Sequence, residues 1–194
     1  WVPLFNGKDT TGWKPFLSDA AADPAKTWSV QDGVLVCAGK PVGYIATTQE
    51  YTSFELELQW RFDPKKGAGN SGVLLRVQQP DKVWPKSVEA QLQSRSAGDI
   101  WNIGDFPMTV DKARTDGRHT TMAAPCSEKP LGEWNQYRIV LDGGDLQLFV
   151  NGVLQNTASD IQVVPGRIAL QSEGAPIEFR DIRIRPIAVK GGTK

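Results

Sequence analysis

The nine residues from Phe54 to Phe62, FELELQWRF, alternate without a fault. Phe54, Leu56, Leu58, Trp60 and Phe62 fall on one side of an extended chain, and Glu55, Glu57, Gln59 and Arg61 on the other. A helix would spread those apolar residues round its circumference, so the segment reads as a strand with one core face and one polar face. Shorter runs of the same kind predict strands over 28–30, 34–37, 43–47, 72–77, 88–93, 136–141, 146–150, 167–171 and 177–184. Gln31-Asp32-Gly33, Asp142-Gly143-Gly144 and Asn151-Gly152 supply turn residues that tolerate positive φ between them. No long amphipathic helix appears. The pattern is that of an all-β antiparallel sandwich, interrupted by one long excursion over 94–134 that reads as loop with one short strand.

A chain of 194 residues is within the range of one β-sandwich domain, expected over 1–188 with a flexible tail over 189–194. At that length about 70% of the unfolded surface can be buried, so the fold needs no metal or dense disulfide set. Lys and Arg number 22, as do Asp and Glu, and no block of one sign occurs, which argues against nucleic acid as a partner. No apolar stretch approaches the roughly 20 residues of a membrane span. Residues Trp1 to Gly7 do not resemble an export leader, so any such signal is expected to have been removed. Cys37 and Cys126 match no zinc or redox spacing. An exported chain would bridge them and a cytosolic one would keep two thiols; the bridge is the expectation.

Parity extends the polar face. In NSGVLLRV (70–77), Val73, Leu75 and Val77 share one side, and Asn70, Gly72, Leu74 and Arg76 the other. In VEAQLQ (88–93), Val88, Ala90 and Leu92 face the core, and Glu89, Gln91 and Gln93 point outward. If the three strands are neighbours, Glu57, Gln59, Arg61, Asn70, Arg76, Glu89 and Gln91 form one platform of planar hydrogen-bonding groups suited to hydroxyls and carbonyls. Alternation alone proves only amphipathicity; the clue is this composition in place of Lys, Ser and Thr. Of the seven Trp, Trp13, Trp28, Trp60 and Trp134 read as core, while Trp84 and Trp101, beside Pro85 and Asn102, read as cleft walls for stacking on a sugar. His119 is the only histidine, and its ordinary pKa suits proton transfer. One His and scattered carboxylates argue against a catalytic zinc site; an oxygen-ligand Ca²⁺ site on the Asp-rich loops stays open but has no EF-hand pattern behind it, and no cofactor is expected. Gly67-Ala68-Gly69-Asn70 precedes a strand, not a helix, and is not a phosphate loop.

Taken together, these residues resemble the bacterial 3-keto-disaccharide hydrolase domain family, a concanavalin A-like jelly-roll group formerly known as a domain of unknown function. The blocks that carry the likeness run through the chain: Leu4-Phe5-Asn6-Gly7-Lys8-Asp9, Gly12-Trp13, Trp28 to Leu35, Phe54-Glu55-Leu56, Trp60-Arg61, Gly69 to Val73 and Glu89-Ala90-Gln91. They continue with Gly132 to Asn135, Asn151-Gly152, Gly166 to Gly174 and Phe179 to Ile182, where Asp181 replaces a frequent Asn; 94–129 matches least.

The resemblance implies a two-sheet jelly roll, an exported bacterial protein and a carbohydrate partner already oxidised to a ketone at C3. Such a ketone acidifies the C2 hydrogen, so a base can remove it and the glycosidic oxygen at C1 can leave, with water added afterwards. On this sequence Glu57 or Glu89 would be the base, Arg61 the enolate stabiliser and His119 an acid, with Gln59, Asn70, Arg76, Gln91, Trp84 and Trp101 binding substrate. A conventional glycosidase pair, Glu57 with Glu89, is the variant mechanism. A non-catalytic carbohydrate-binding module, or an interaction domain that has lost its site, are the competing readings, because fold does not fix function.

Overall fold

Apolar faces made by alternation must be covered, and here two antiparallel sheets cover each other. The computed structural model describes residues 1–188; the tail expected over 189–194 lies outside the described residues. The first sheet runs Val153–Ala158, Asp145–Val150, Asn135–Asp142, Phe54–Phe62, Ile177–Pro186, Val34–Cys37 and Trp28–Gln31, with Val2–Pro3 also paired to Ile177–Pro186. The second runs Thr115–Asp116, His119–Thr120, Ile100–Ile103, Ser87–Gln91, Gly72–Val77, Arg167–Ser172, Gly43–Thr47 and Trp13–Leu17. Helix is limited among the described residues to one turn at Pro24–Thr27, capped by Asp23, and a 3-10 turn at Lys112–Arg114. No helix among them is long and apolar enough to cross a membrane.

The main core lies between the sheets. Leu56, Leu58 and Trp60 of the first meet Val73, Leu75, Val88, Ala90, Ile168 and Leu170 of the second. Trp13, Trp28 and Trp60 are buried as expected, whereas Trp134 lies outside the core, under the guanidiniums of Arg61 at 4.5 Å and Arg180 at 4.0 Å. A smaller apolar cluster of Tyr44, Ala46, Leu74, Val77, Ile103 and Ala169 occupies the opposite face of the second sheet. The four central strands of that sheet are therefore buried on both faces, along every residue of Gly43–Thr47, Gly72–Val77, Ser87–Gln91 and Arg167–Ser172.

Two parity readings fail at irregularities in the pairing. Arg76 does not share the outer face with Gly72 and Leu74. Between Leu74↔Ala169 and Val77↔Arg167 the Gly72–Val77 strand carries one extra residue, and Arg76 takes φ +52°. The bulge turns Arg76 into the edge of the sandwich and sends Val77 to the outer cluster. Arg76 is fully buried and donates to the carbonyls of Thr52, Gln162 and Gly143 at 2.5–3.1 Å. It ties the loops together and does not line the cleft described below, where it was expected to bind substrate. The expected disulfide is also absent: both cysteines are free. Cys37 is in the core, where burial pushes its thiol up to about 11, and Cys126 is half-buried beside Glu128.

Arg76→Met should strip three carbonyls of their donors and lower unfolding stability by about 2–4 kcal/mol, read from urea melts; an unchanged midpoint would refute the clamp. Thiol titration of the unfolded, unreduced protein should find two reactive groups, and none if a bridge forms.

Candidate active site

The expected single platform divides between the two sheets. Phe54–Phe62 belongs to the first, and Gly72–Val77 and Ser87–Gln91 are neighbours in the second. Parity assigned the faces of Phe54–Phe62 correctly, but it carries no information about which sheet a strand joins. Glu57, Gln59 and Arg61 consequently face outward on the first sheet, with the whole core between them and Glu89. There they are neutralised by neighbours: Glu57 pairs with Arg183 at 2.5 Å, Arg61 with Glu178 at 2.5 Å, and Gln59 accepts from Arg180 at 2.8 Å. A cleft of about 430 Å³ borders Glu57 and Gln59, but its charged side chains, Glu57, Arg183 and Asp181, are all engaged in ion pairs.

The other half of the platform does converge. A cleft of about 450 Å³ on the outer face of the second sheet is lined by Asn70, Trp84, Glu89, Gln91, Gln93, Trp101, Ile103, Arg118 and Glu173. That volume lies in the ordinary small-molecule range of roughly 300–1,000 Å³. Its floor follows from register. Gly72 is opposite Gln91, Leu74 opposite Glu89, and Glu89 opposite Trp101. Gly72 is needed for the close approach above it: a Cβ there would come within 2.3 Å of Glu89 Oε1 and 2.5 Å of Gln171 Oε1.

The walls come from segments fixed to the same sheet. Trp101 lies on Ile100–Ile103, inside the excursion read as loop, and next to it His119–Thr120 continues the sheet. The His119 ring stacks on Trp101 at 4.4 Å with 4° between planes, and its Nε2 is hydrogen-bonded to buried Asp99 at 2.6 Å. Asp99 also accepts from Met122 N at 2.8 Å. His119 thus braces the Trp101 wall from behind and does not itself line the cleft. The segment carrying Trp84 is pinned by Asp81, which accepts from Tyr44 Oη and from Arg167, each at 2.5 Å.

Electrostatically the cleft is dominated by Glu89. The residue is 5% exposed, and burial, assisted by the charge of Glu173, pushes its carboxyl up to about 8. No hydrogen bond from the described residues reaches it to offset that burial. Burial also raises Glu173, while the neighbouring Trp84 indole opposes the rise. Around these carboxyls several buried polar atoms have no partner among the described residues: Asn70 Oδ1, Trp101 Nε1 and Gln171 Oε1. Orphans of this density beside a cleft are what a ligand's hydroxyls would satisfy. No three His, Cys, Asp or Glu side chains among the described residues gather in a way that would hold a metal ion.

Of the expected site residues the cleft brings together Asn70, Glu89, Gln91, Trp84 and Trp101; Arg118 and Glu173, which also line it, and Gln171 beside Glu89 were not singled out. Glu173 and Gln171 lie within the Gly166 to Gly174 block, so that motif held the signal. Arg118 lies in the poorly matching excursion and left none.

Two open antiparallel sheets packed face to face, with a cleft of small-molecule size walled by aromatic residues on the outer face of one, make a β-sandwich of the concanavalin A-like kind. The chain belongs to the 3-keto-alpha-glucoside-1,2-lyase-like domain family, whose pattern matches residues 1–185. It is similar to the 3-keto-disaccharide hydrolase of Bacteroides thetaiotaomicron, at 27% identity over 162 residues, covering 74% of this chain and 53% of that one. The chain thus spans about half the length of that relative. Among solved structures, a Parabacteroides distasonis protein provisionally named a glycosyl hydrolase superposes with a TM-score of 0.70 at 26% identity, over 96% of this chain and 99% of that one. A carbohydrate-binding module of Bacillus subtilis shares the fold with a TM-score of 0.64 at 12% identity, over 90% and 96% of the two chains.

The raised Glu89 has a stability signature. In the unfolded chain the carboxyl titrates near its ordinary value of 4.5, in the folded chain near 8, so the folded state holds the extra proton between these limits. Stability from this group is complete below about 4.5 and falls as pH rises towards 8. Chemical denaturation from pH 4.5 to 8 should show Glu89→Gln gaining on the wild type as pH rises; parallel curves would place the Glu89 carboxyl in an ordinary environment.

Proposed function

We propose that this chain cleaves glycosides in the cleft between Trp84 and Trp101, with 3-keto-disaccharides as substrates. The observation that carries the reading is Glu89: a buried carboxyl, pushed up to about 8, with no hydrogen bond from the described residues to occupy it, among unpaired amide and indole groups. Such a carboxyl keeps its proton at neutrality and is suited to act as a general acid. The family membership supports the substrate class, and export of the protein is proposed with it on the same support.

Glu89 is therefore assigned as the acid, not the base. Glu173, on the segment after Arg167–Ser172 and in contact with Trp84, is the carboxylate available as base. The Glu173 carboxylate takes the C2 proton of the 3-keto sugar, and the C–H electrons pass into an enolate on the C3 oxygen. Collapse of the enolate forms the C1–C2 double bond, restores the C3 carbonyl and breaks the bond from C1 to the glycosidic oxygen, which takes the Glu89 proton. Water then adds: the Glu89 carboxylate accepts its proton as oxygen bonds to C1, and Glu173 returns a proton to C2. Both carboxyls end as they began. The conventional pair of Glu57 with Glu89 is excluded by their positions on different sheets.

A second reading, a binding module, draws on the exposure of Trp84, whose indole is 57% accessible at the rim as a stacking residue would be. The two separate on one panel of 3-keto and unoxidised disaccharides. Turnover of the keto substrates, lost by at least about 10²-fold in Glu89→Gln and kept in Glu57→Gln, supports cleavage. Calorimetric binding of unoxidised glycans that Trp84→Ala weakens, without turnover of any keto sugar, would replace it with the binding module.

A further inference from the structure

We infer that Gln91 Nε2 and Trp101 Nε1 form a donor pair that holds the C3 oxygen of a 3-keto sugar as it takes up charge. The inference rests on the cleavage reading for its substrate, but on separate geometry for its residues. It replaces Arg61, which is on the far side of the molecule.

Gln91 is 4% exposed, and its amide has one orientation. The Oε1 accepts from Leu92 N at 2.9 Å and from Gln93 N at 3.0 Å, two donors that admit only an oxygen. The Nε2 is thereby turned the other way with its N–H groups unspent, for no side-chain or main-chain acceptor among the described residues takes them. Gln91 lines the cleft, so these donors are directed to its occupant. The Trp101 indole can only donate, and its Nε1 is buried without a partner. Leaving such groups unsatisfied costs stability, and an acceptor entering the cleft that Gln91 and Trp101 line would recover it.

Register brings the two together. Trp101 is directly opposite Glu89, and Gln91 is two residues beyond Glu89 on the same face. Such diagonal neighbours have side chains about 7–8 Å apart at their bases, within reach of a long side chain and an indole. One oxygen accepting from both at about 3 Å completes the geometry of an oxyanion hole. The Trp101 ring cannot rotate its N–H away, because His119 stacks on its plane and Asp99 holds His119. Both donors are neutral and buried, and dipoles already held in place stabilise developing charge with no reorganisation. Arg118 is exposed at the rim, so the buried pair is better placed than that guanidinium. Asn70 Oδ1, an orphaned acceptor, is left for a sugar hydroxyl.

Two substitutions test the pair while sparing its supports. Gln91→Glu keeps an oxygen for the Leu92 and Gln93 amides and removes the donors. Trp101→Phe keeps a ring against His119 and removes the N–H. Two rates are read in each: cleavage of a 3-keto-disaccharide, and deuterium uptake at C2 of 3-keto-1,5-anhydroglucitol in D2O by NMR. The second probe has no glycosidic oxygen to lose and reports enolate formation alone. Each variant should slow both rates by about 10²–10³-fold with KM little changed, the usual loss for one oxyanion donor. If the wild type exchanges deuterium without cleaving, the cleavage reading fails and the pair stands on the slowed exchange. Exchange within about threefold of wild type in folded Trp101→Phe would overturn the pair, as would a wild type that exchanges nothing.

Discussion

Burial of the second sheet on both faces is the constraint from which the rest of the molecule follows. One face packs on the first sheet, as any sandwich requires. The other carries Tyr44, Leu74, Val77 and Ala169 in a cluster of its own, with polar groups set into the same surface. A carboxyl placed there loses water without gaining a partner, which is what happens to Glu89. The same residue on the first sheet would meet an arginine: Glu55, for instance, is 5% exposed and is paired with Arg138 and Arg185, which hold it below its ordinary range. Two glutamates of similar exposure are thus driven in opposite directions by what faces them. The unpaired carboxyl is on the sheet that withholds counter-charges.

The first sheet shows what a satisfied polar face looks like. Its outward side alternates arginine and glutamate across strands, with guanidiniums laid over Trp1, Trp134 and Phe149. In Ile177–Pro186 an extra residue at Asp181, with φ +52°, keeps both Arg180 and Arg183 outward against Gln59 and Glu57. A regular strand would have turned one of them inward. The bulge therefore serves the pairing, just as the bulge at Arg76 serves the clamp under the loops.

The sandwich was legible because alternation survives wherever a strand has one wet face, as in FELELQWRF. It weakens where both faces are buried: GYIAT and GVLLRV read as strands, but their outer faces carry no polar mark that would reveal a covered floor. Glu89, Gln91 and Asn70 were recoverable from parity, and Trp84 and Trp101 from their loop-like setting. Glu57, Gln59 and Arg61 were misplaced because parity assigns a face and is silent on the sheet. Arg76 was misplaced because one inserted residue inverts every assignment after it. The excursion reads as holding one short strand, and neither Ile100–Ile103 nor His119–Thr120 could be placed in it, because strands of four and two residues show no period, yet they carry Trp101 and its brace.

Lectins and hydrolases share this sandwich, so what separates them must lie in the site. A binding cleft needs stacking surfaces and hydrogen-bond partners, and it works best when each polar group is matched in the bound state alone. Nothing in that task calls for a carboxyl held protonated near neutrality, which weakens binding by demanding a particular acceptor. A proton held at about 8 beside a second carboxyl is useful when it has to move. The Trp84 indole beside Glu173 adds to the contrast: burial raises both carboxyls, and this indole holds back the rise of Glu173 alone. Two like groups given different partners in one cleft are what a site needs if it is to deliver a proton with one and accept a proton with the other.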